Sequence, residues 1–385
     1  MRIIIYTGKG GVGKTSIAAA SACKIAGTGK KVLIMSTDQA HSLGDSFDKK
    51  IGREPVNVAE NLDALEIDTI YEGEKSWGSM KGFFREILTA QGTGGIEVEE
   101  LLVFPGLEEL FSMFKILEFY EKGEYDVLII DCAPTGETLS LLKYPEKLSG
   151  LVRKVLPMKK AGLKLAGPLI EKVTKIPMPE ESIFDDLELL IDKMERLQDL
   201  LLNKEAVSLR IVTTPEKIVI REAKRNFTCL YLYDYNVDAI IVNRIYPQRA
   251  MEGYFGKWRQ IQEESLKEIE ESFSEVPQFH LELQEEEIRT IPMLEKAAGL
   301  LFGDQDISKV LFCKKIYEAV IKEGTARLKI LLPFAGKDDL ELAQDGNELV
   351  LGIGSETRRF PLPVETQGKE VRKAEFMDGY MVISF

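Results

Sequence analysis

Eight residues near the start of the chain, Gly8-Lys9-Gly10-Gly11-Val12-Gly13-Lys14-Thr15, constrain the fold more than any others. Residues 2–7 before them are an apolar run with the length of a short buried strand. Thr15 to Ala26 after them is rich in small residues and predicts a helix packed closely on a sheet. In that setting the pattern G-x-x-x-x-G-K-[ST] predicts a loop whose backbone N–H groups curl around phosphates. Lys14 would place a point charge on the β- and γ-phosphates, and Thr15 would offer its hydroxyl to Mg2+. The positive end of the helix, with Ser16 in its first turn, completes an anion site. Gly8 through Ser16 is therefore the candidate site for a nucleoside triphosphate.

Catalysis needs further groups, one to position the attacking water and one to hold the metal's water shell. Asp38 and Asp131 each follow an apolar run that reads as a strand, Val32 to Met35 and Val127 to Ile130. Leu62 to Ile67, Ile211-Val212 and Ala239 to Val242 repeat that pattern between helical stretches. Strands alternating with helices predict an α/β fold, a mostly parallel sheet flanked by helices. Such sheets bind ligands at the carboxyl ends of their strands, where Gly8, Asp38, Asp131 and Asn243 fall.

Long helical insertions are expected at about residues 77–122 and 145–203. Their apolar stripes include Phe111, Phe114 and Leu117 in the first, and Leu190, Met194, Leu197 and Leu201 in the second. Each reads either as a core-facing helix or as one wall of a groove for an apolar client. After Gly324 the helical period disappears and short β-rich runs take over, separated by turn signals such as Asp345-Gly346-Asn347. The chain thus divides into a P-loop unit at 1–322 and an all-β sandwich at 325–385.

The net charge of −13 over 385 residues excludes a surface built mainly to hold nucleic-acid phosphates. The best basic cluster is Lys154, Lys159, Lys160 and Lys164. Four cysteines lie far apart (Cys23, Cys132, Cys229, Cys313), which predicts neither a disulfide framework nor a zinc site and points to a reducing cytoplasm. No apolar run approaches the ~18–20 residues of a membrane span. Met1 and Arg2 lead straight into the first strand, without the pattern of a signal peptide.

The second lysine of the loop, Lys9, marks the deviant form of the motif, whose members resemble one another in dimerising around nucleotide. With Ser36-Thr37-Asp38-Gln39-Ala40-His41-Ser42-Leu43, Pro105-Gly106-Leu107-Glu108-Glu109 and Asp131-Cys132-Ala133-Pro134-Thr135-Gly136-Glu137-Thr138, the chain resembles the arsenite-pump and tail-anchored-protein-targeting ATPase family over roughly residues 1–320. The resemblance implies ATP and Mg2+ as cofactors and a homodimer in which Lys9 reaches the partner's phosphates. Asp38 would orient the hydrolytic water, and Asp131 would contact the metal through water. Asn243 would meet adenine, and Glu216 and Pro292 would be further nucleotide contacts. It also implies a hydrophobic client protein or membrane-protein segment, with a membrane partner as a further candidate.

Departures from the family pattern are Gln39 in place of proline, Glu137 in place of histidine, and the absence of its zinc-binding cysteine pair. An arsenite-efflux subunit and a partition or cell-division-site NTPase are the alternative readings. The tail, through Leu332-Pro333-Phe334-Ala335-Gly336 and Arg358-Arg359-Phe360-Pro361-Leu362-Pro363, resembles an α-crystallin (small heat-shock) domain.

Overall fold

The computed structural model describes residues 1–37, 42–75, 107–132, 181–322, 325–354, 356–362 and 364–385. Asp38, Gln39 and His41, Pro105-Gly106, Ala133 to Thr138, the lysine cluster at 154–164 and the remainder of both insertions lie outside the described residues.

The central sheet has eight strands in the order β3-β4-β2-β5-β1-β6-β7-β8. Its middle is formed by β1 (Arg2–Thr7), β2 (Val32–Ser36), β5 (Val127–Asp131) and β6 (Val207–Thr213), in which every residue is buried. A strand covered on both faces has no polar side, so it reads as a continuous run of Ile, Val and Leu. Alternate residues still divide between the faces. Ile3, Ile5, Leu33, Met35, Leu128 and Ile130 join one core, and Ile4, Tyr6, Ile34 and Ile129 join the other. The remaining strands are β3 (Val56–Ala59), β4 (Leu62–Glu66), β7 (Val237–Ile245) and β8 (Gln278–Glu282). Only β3, at one edge, runs antiparallel to its neighbour.

Helix α1 (Lys14–Ala26) covers the second face and packs beside α7 (Ile291–Phe302). Its buried run Ala18-Ala19-Ala20-Ser21-Ala22 lets the backbone approach the sheet closely, and the Tyr6 hydroxyl meets Ser21 Oγ at 2.6 Å. A short helix, α2 (Ser42–Phe47), contacts α1. The first face carries α3 (Leu107–Lys122), α4 (Glu181–Leu202) and α5 (Lys217–Leu232). Next to α5 lies α6 (Gly256–Ser272). Phe111, Phe114, Leu117, Leu190, Met194, Leu197 and Leu201 are all buried in this core. The described parts of both apolar stripes are therefore core-facing helix, the simpler of their two readings.

A second unit follows. Strands β9 (Tyr317–Lys322), β10 (Thr325–Leu331), β14 (Lys373–Met377) and β15 (Tyr380–Ser384) form one antiparallel sheet, and β11 (Leu340–Asp345), β12 (Glu348–Ile353) and β13 (Glu356–Pro361) another. Ile330, Leu349, Leu351, Leu362 and Ile383 fill the core they contribute to. Because β9 pairs with β10 over six residue pairs, this sheet reaches back to Tyr317, ahead of the 325 boundary expected from composition. Tyr317-Glu-Ala-Val-Ile-Lys322 lies before Gly324, where the change of pattern was placed, so it was counted with the preceding unit although Glu323-Gly324 links it to β10.

The connector between the units is fastened to the central sheet by a buried ionic cluster. Asp238 and Arg210 are both fully buried, and Arg210 Nε lies 3.0 Å from Asp238 Oδ1. Arg2 approaches Asp238 Oδ2 at 3.3 Å, and burial pulls its guanidinium down to about 10. Arg210 Nη2 donates to the Ile307 carbonyl at 2.7 Å, and the Leu311 N–H donates to Asp238 at 3.2 Å. One carboxylate thus compensates two buried cations and anchors the connector. Breaking such a cluster strands charge in low dielectric. Asp238→Ala is expected to cost about 3–5 kcal/mol of stability, read as a lowered midpoint in chemical denaturation followed by circular dichroism.

Candidate active site

The phosphate loop spans the gap between β1 and α1, and two of its glycines are set by close approach. A Cβ on Gly8 would lie 2.2 Å from the Val212 carbonyl oxygen of β6. Gly13, in left-handed conformation at φ 91°, is the N-cap of α1, and a Cβ there would lie 2.5 Å from Asn243 Nδ2. Only glycine lets the loop press this tightly onto β6 and β7. Asn243 in turn donates Nδ2 to the Val12 carbonyl at 2.8 Å, so β7 holds the loop from behind. The N-terminus of α1 has no side-chain cap and no acidic residue in its first turn. Its first N–H groups and the positive end of its dipole are left for an external anion.

The side chains of the loop are arranged around that vacant end. Lys14 is buried and donates Nζ to the Lys9 carbonyl at 3.3 Å. Lys9 points outward instead, half-exposed on the rim, with Nζ 3.3 Å from Glu222 Oε2 of α5. The Thr15 and Ser42 hydroxyls meet at 3.1 Å, joining α1 to α2. Asp131 ends β5 and is buried, with Tyr6 of β1 and Ser36 of β2 as its neighbours in register. Ser36 Oγ approaches its Oδ2 at 3.4 Å, and the Thr37 N–H donates to its carbonyl at 3.0 Å. The ends of β1, β2 and β5 therefore converge on the edge that carries the loop, and Asp38 is two residues beyond Ser36.

Beside the loop opens a cavity of about 620 Å³. That is within the usual size range of small-molecule sites. Gly13, Ser16 and Asn243 form its loop side, and Asp45, Arg244, Tyr246 and residues 282–289 the rest. Consecutive residues of a regular strand face opposite ways. Here the pairing of β7 with β8 slips between Val242 and Ile245, and Arg244 sits at φ 57°. This bulge brings both Asn243 and Arg244 to the cavity. Arg244, Tyr246, Asp45 and the Glu285-Glu286-Glu287 run escaped the sequence reading: the bulge that aims Arg244 has no local sequence signal, and Asp45 of α2 and the residues after β8 reach the cavity only through the tertiary fold. Two expected contacts are not among the lining residues. Glu216 is the exposed N-cap of α5, and Pro292 is exposed in the first turn of α7.

The loop geometry makes a sharp prediction. Gly13→Ala adds a Cβ against Asn243 at an unfavourable φ, a strain of about 1–3 kcal/mol. Nucleotide affinity should fall by about 10–100-fold in a fluorescent-nucleotide titration.

Comparison with known proteins agrees with this geometry. The family described as anion-transporting ATPase matches residues 1–303, and the HSP20-like domain found in ArsA matches residues 323–385. A "Putative arsenical pump-driving ATPase" of Prosthecochloris vibrioformis is 36% identical over 388 residues, covering 100% of this chain and 96% of that protein. A similarly named protein of Aquifex aeolicus is 35% identical over 385 residues, with 97% of each chain covered. The "ATPase get3" of Aspergillus niger is 29% identical over 314 residues, 78% of this chain and 90% of that one. The chain belongs to the ArsA-type, anion-transporting ATPase family and is an ATPase, with the family's HSP20-like domain at its C-terminal end.

Proposed function

We propose that the chain is a Mg2+-dependent, ATP-driven homodimer switch that handles hydrophobic protein segments in the cytoplasm. The observation that carries the switch is the difference between the two loop lysines: Lys14 is buried, whereas Lys9 is partly exposed and paired with Glu222 of α5. A rim lysine serves a neighbouring subunit's nucleotide better than its own, in the manner of an arginine finger.

In this reading Gly8 to Ser16 bind the phosphates through backbone N–H groups, with Lys14 on the β/γ-phosphates. Asn243 braces the loop and lines the base cavity. Thr15 and Asp131 hold Mg2+, and their chemistry fits it: a hydroxyl at the loop and a buried carboxylate at a neighbouring strand end. When bound, the ion neutralises charge developing on the transferred phosphoryl group. Asp38 orients the attacking water. Glu216 and Pro292, exposed and outside the cavity lining, act from its periphery.

The client reading rests on the likeness to proteins named get3 and on the insertions. Among the described residues no helix is long and apolar enough to cross a membrane. The second reading, an ATPase subunit for arsenite efflux, is favoured by the names of the Prosthecochloris vibrioformis and Aquifex aeolicus relatives. The thiols speak against it. Cys23 and Cys132 are buried, and burial pushes the Cys23 thiol up to about 12. Among the described residues, which include all four cysteines, no three His, Cys, Asp or Glu groups are placed to hold a metal ion.

Three variants separate the roles. Lys14→Ala should lose ATP binding. Asp38→Asn should bind ATP as the wild type does, turn over slowly, and remain dimeric in ATP. Lys9→Ala should bind ATP but lose the dimer, with kcat lower by about 10³-fold. Light scattering that finds a fully active monomer would sink the switch. Arsenite is expected to leave wild-type turnover unchanged, and stimulation by it would favour the efflux reading. In the same preparations a maleimide should label exposed Cys313 well before Cys23.

A further inference from the structure

Helix α5 touches both ends of the molecule's chemistry. Near its N-terminus Glu222 holds Lys9 at 3.3 Å. At its C-terminus the β-domain takes hold of it. A helix ends in carbonyls with no intrahelical donor and with partial negative charge, and the last turn of α5 contains no basic residue of its own. The Cys229, Leu230 and Tyr231 carbonyls take backbone N–H donors from Tyr233, Tyr235 and Asp234, and the last one, Leu232, takes its donors from the β-domain: Arg358 Nη1 of β13 donates to it at 2.7 Å, and the Tyr317 hydroxyl of β9 donates to the same oxygen. Arg358 and Tyr317 also meet each other at 3.0 Å.

The grip continues along the helix. Thr228 Oγ1 donates to the Pro333 carbonyl. Phe334, at φ 66°, is wedged against Phe227 of α5 and Phe273, the C-cap of α6, with ring centroids 6.0 and 5.3 Å away. Ten residues separate Glu222 from Leu232, or about 15 Å of helix. An α-helix is stiff over that length, so a shift at one end is felt at the other.

We propose that the C-terminal β-domain is coupled to the phosphate loop through α5, with Glu222 as the positioning residue that keeps Lys9 in its own subunit while the β-domain is docked. The proposal rests on the reading of Gly8–Thr15 as the ATP loop and of Lys9 as a residue that serves the partner. A triphosphate bound in the partner subunit and brought to Lys9 in the dimer competes with Glu222 for it and repels the Glu222 carboxylate. Release of Lys9 lets α5 shift, and the contacts on the Leu232 carbonyl weaken. Linkage makes the effect reciprocal: whatever loosens the β-domain from α5 also frees Lys9 and tightens ATP binding.

The test is an ATP-affinity cycle on the full chain: wild type, Glu222→Gln, Tyr317→Phe and the double variant. Tyr317→Phe removes one oxygen from the docking end and preserves the ring. Arg358→Ala is a second, independent variant at the same carbonyl. Each single change should lower the ATP Kd by about 5-fold or more, and the double variant should gain little beyond either single one. A non-hydrolysable ATP analogue should in turn speed amide exchange in β13. Unchanged Kd in both Tyr317→Phe and Arg358→Ala, or effects that multiply independently in the double variant, would overturn the coupling. Wild-type protein that fails to bind ATP would sink the site reading and the coupling together. ATP binding and hydrolysis with no response at the docking end would sink the coupling alone.

Discussion

The absence of two Cβ atoms governs the rest of the site. Gly8 lies against the Val212 carbonyl and Gly13 against the Asn243 amide, so the loop, β6 and β7 form one packed unit. From that contact follow the open N-terminus of α1, the inward turn of Lys14 and the outward turn of Lys9. Asn243 is as much a part of this arrangement as the glycines. Its hydrogen bond to the Val12 carbonyl satisfies a loop acceptor and ties the base side of the site to the phosphate side. A residue matched by resemblance to a base contact therefore also has a structural role in bracing the loop.

How much of this the sequence revealed depended on the range of the forces involved. The loop, α1 and the inner strands were legible because their signals are local: a fixed spacing of glycines, a run of alanines, an unbroken apolar stretch. The ends of β2 and β5 could be placed at the ligand edge because parallel sheets put all strand termini of one kind on one side. Glu222 was not legible. It sits in a polar stretch, Arg221-Glu222-Ala223-Lys224-Arg225, that resembles any solvated helix face, and its partner is more than two hundred residues away. Arg244 was hidden by the bulge that aims it, and β9 by its pairing with a strand it precedes. The Arg2–Asp238–Arg210 cluster was equally hidden, since three charges in three strands look like three interruptions until the sheet aligns them.

That cluster and α5 are two routes by which the β-domain is joined to the ATPase unit. The first is buried and fixed, because any motion there would expose two guanidinium groups to an apolar interior without their carboxylate. The second is part-buried: its polar contacts are carbonyls, the Tyr317 and Thr228 hydroxyls and one arginine, which cost little to remake in another position, beside the Phe334 ring packed on Phe227 and Phe273. A domain held by one rigid and one adjustable joint can pivot without detaching. The sandwich shares the core of the ATPase unit, through Ile330, Leu349 and Ile383, which is the covering of apolar surface that any pivot must preserve.

With the cavity read as the nucleotide site, as proposed, charge also gives it a direction. Its walls carry five carboxylate residues, Asp45, Glu282, Glu285, Glu286 and Glu287, against the two guanidinium groups of Arg244 and Arg289. A triphosphate placed along that acidic wall would be repelled, whereas the uncapped helix end and Lys14 attract it. The phosphates are therefore driven to the loop and the base toward the acids. In that reading the acidic residues of the wall, Asp45, Glu282 and Glu285 to Glu287, and the cationic loop end together set which end of the nucleotide enters first.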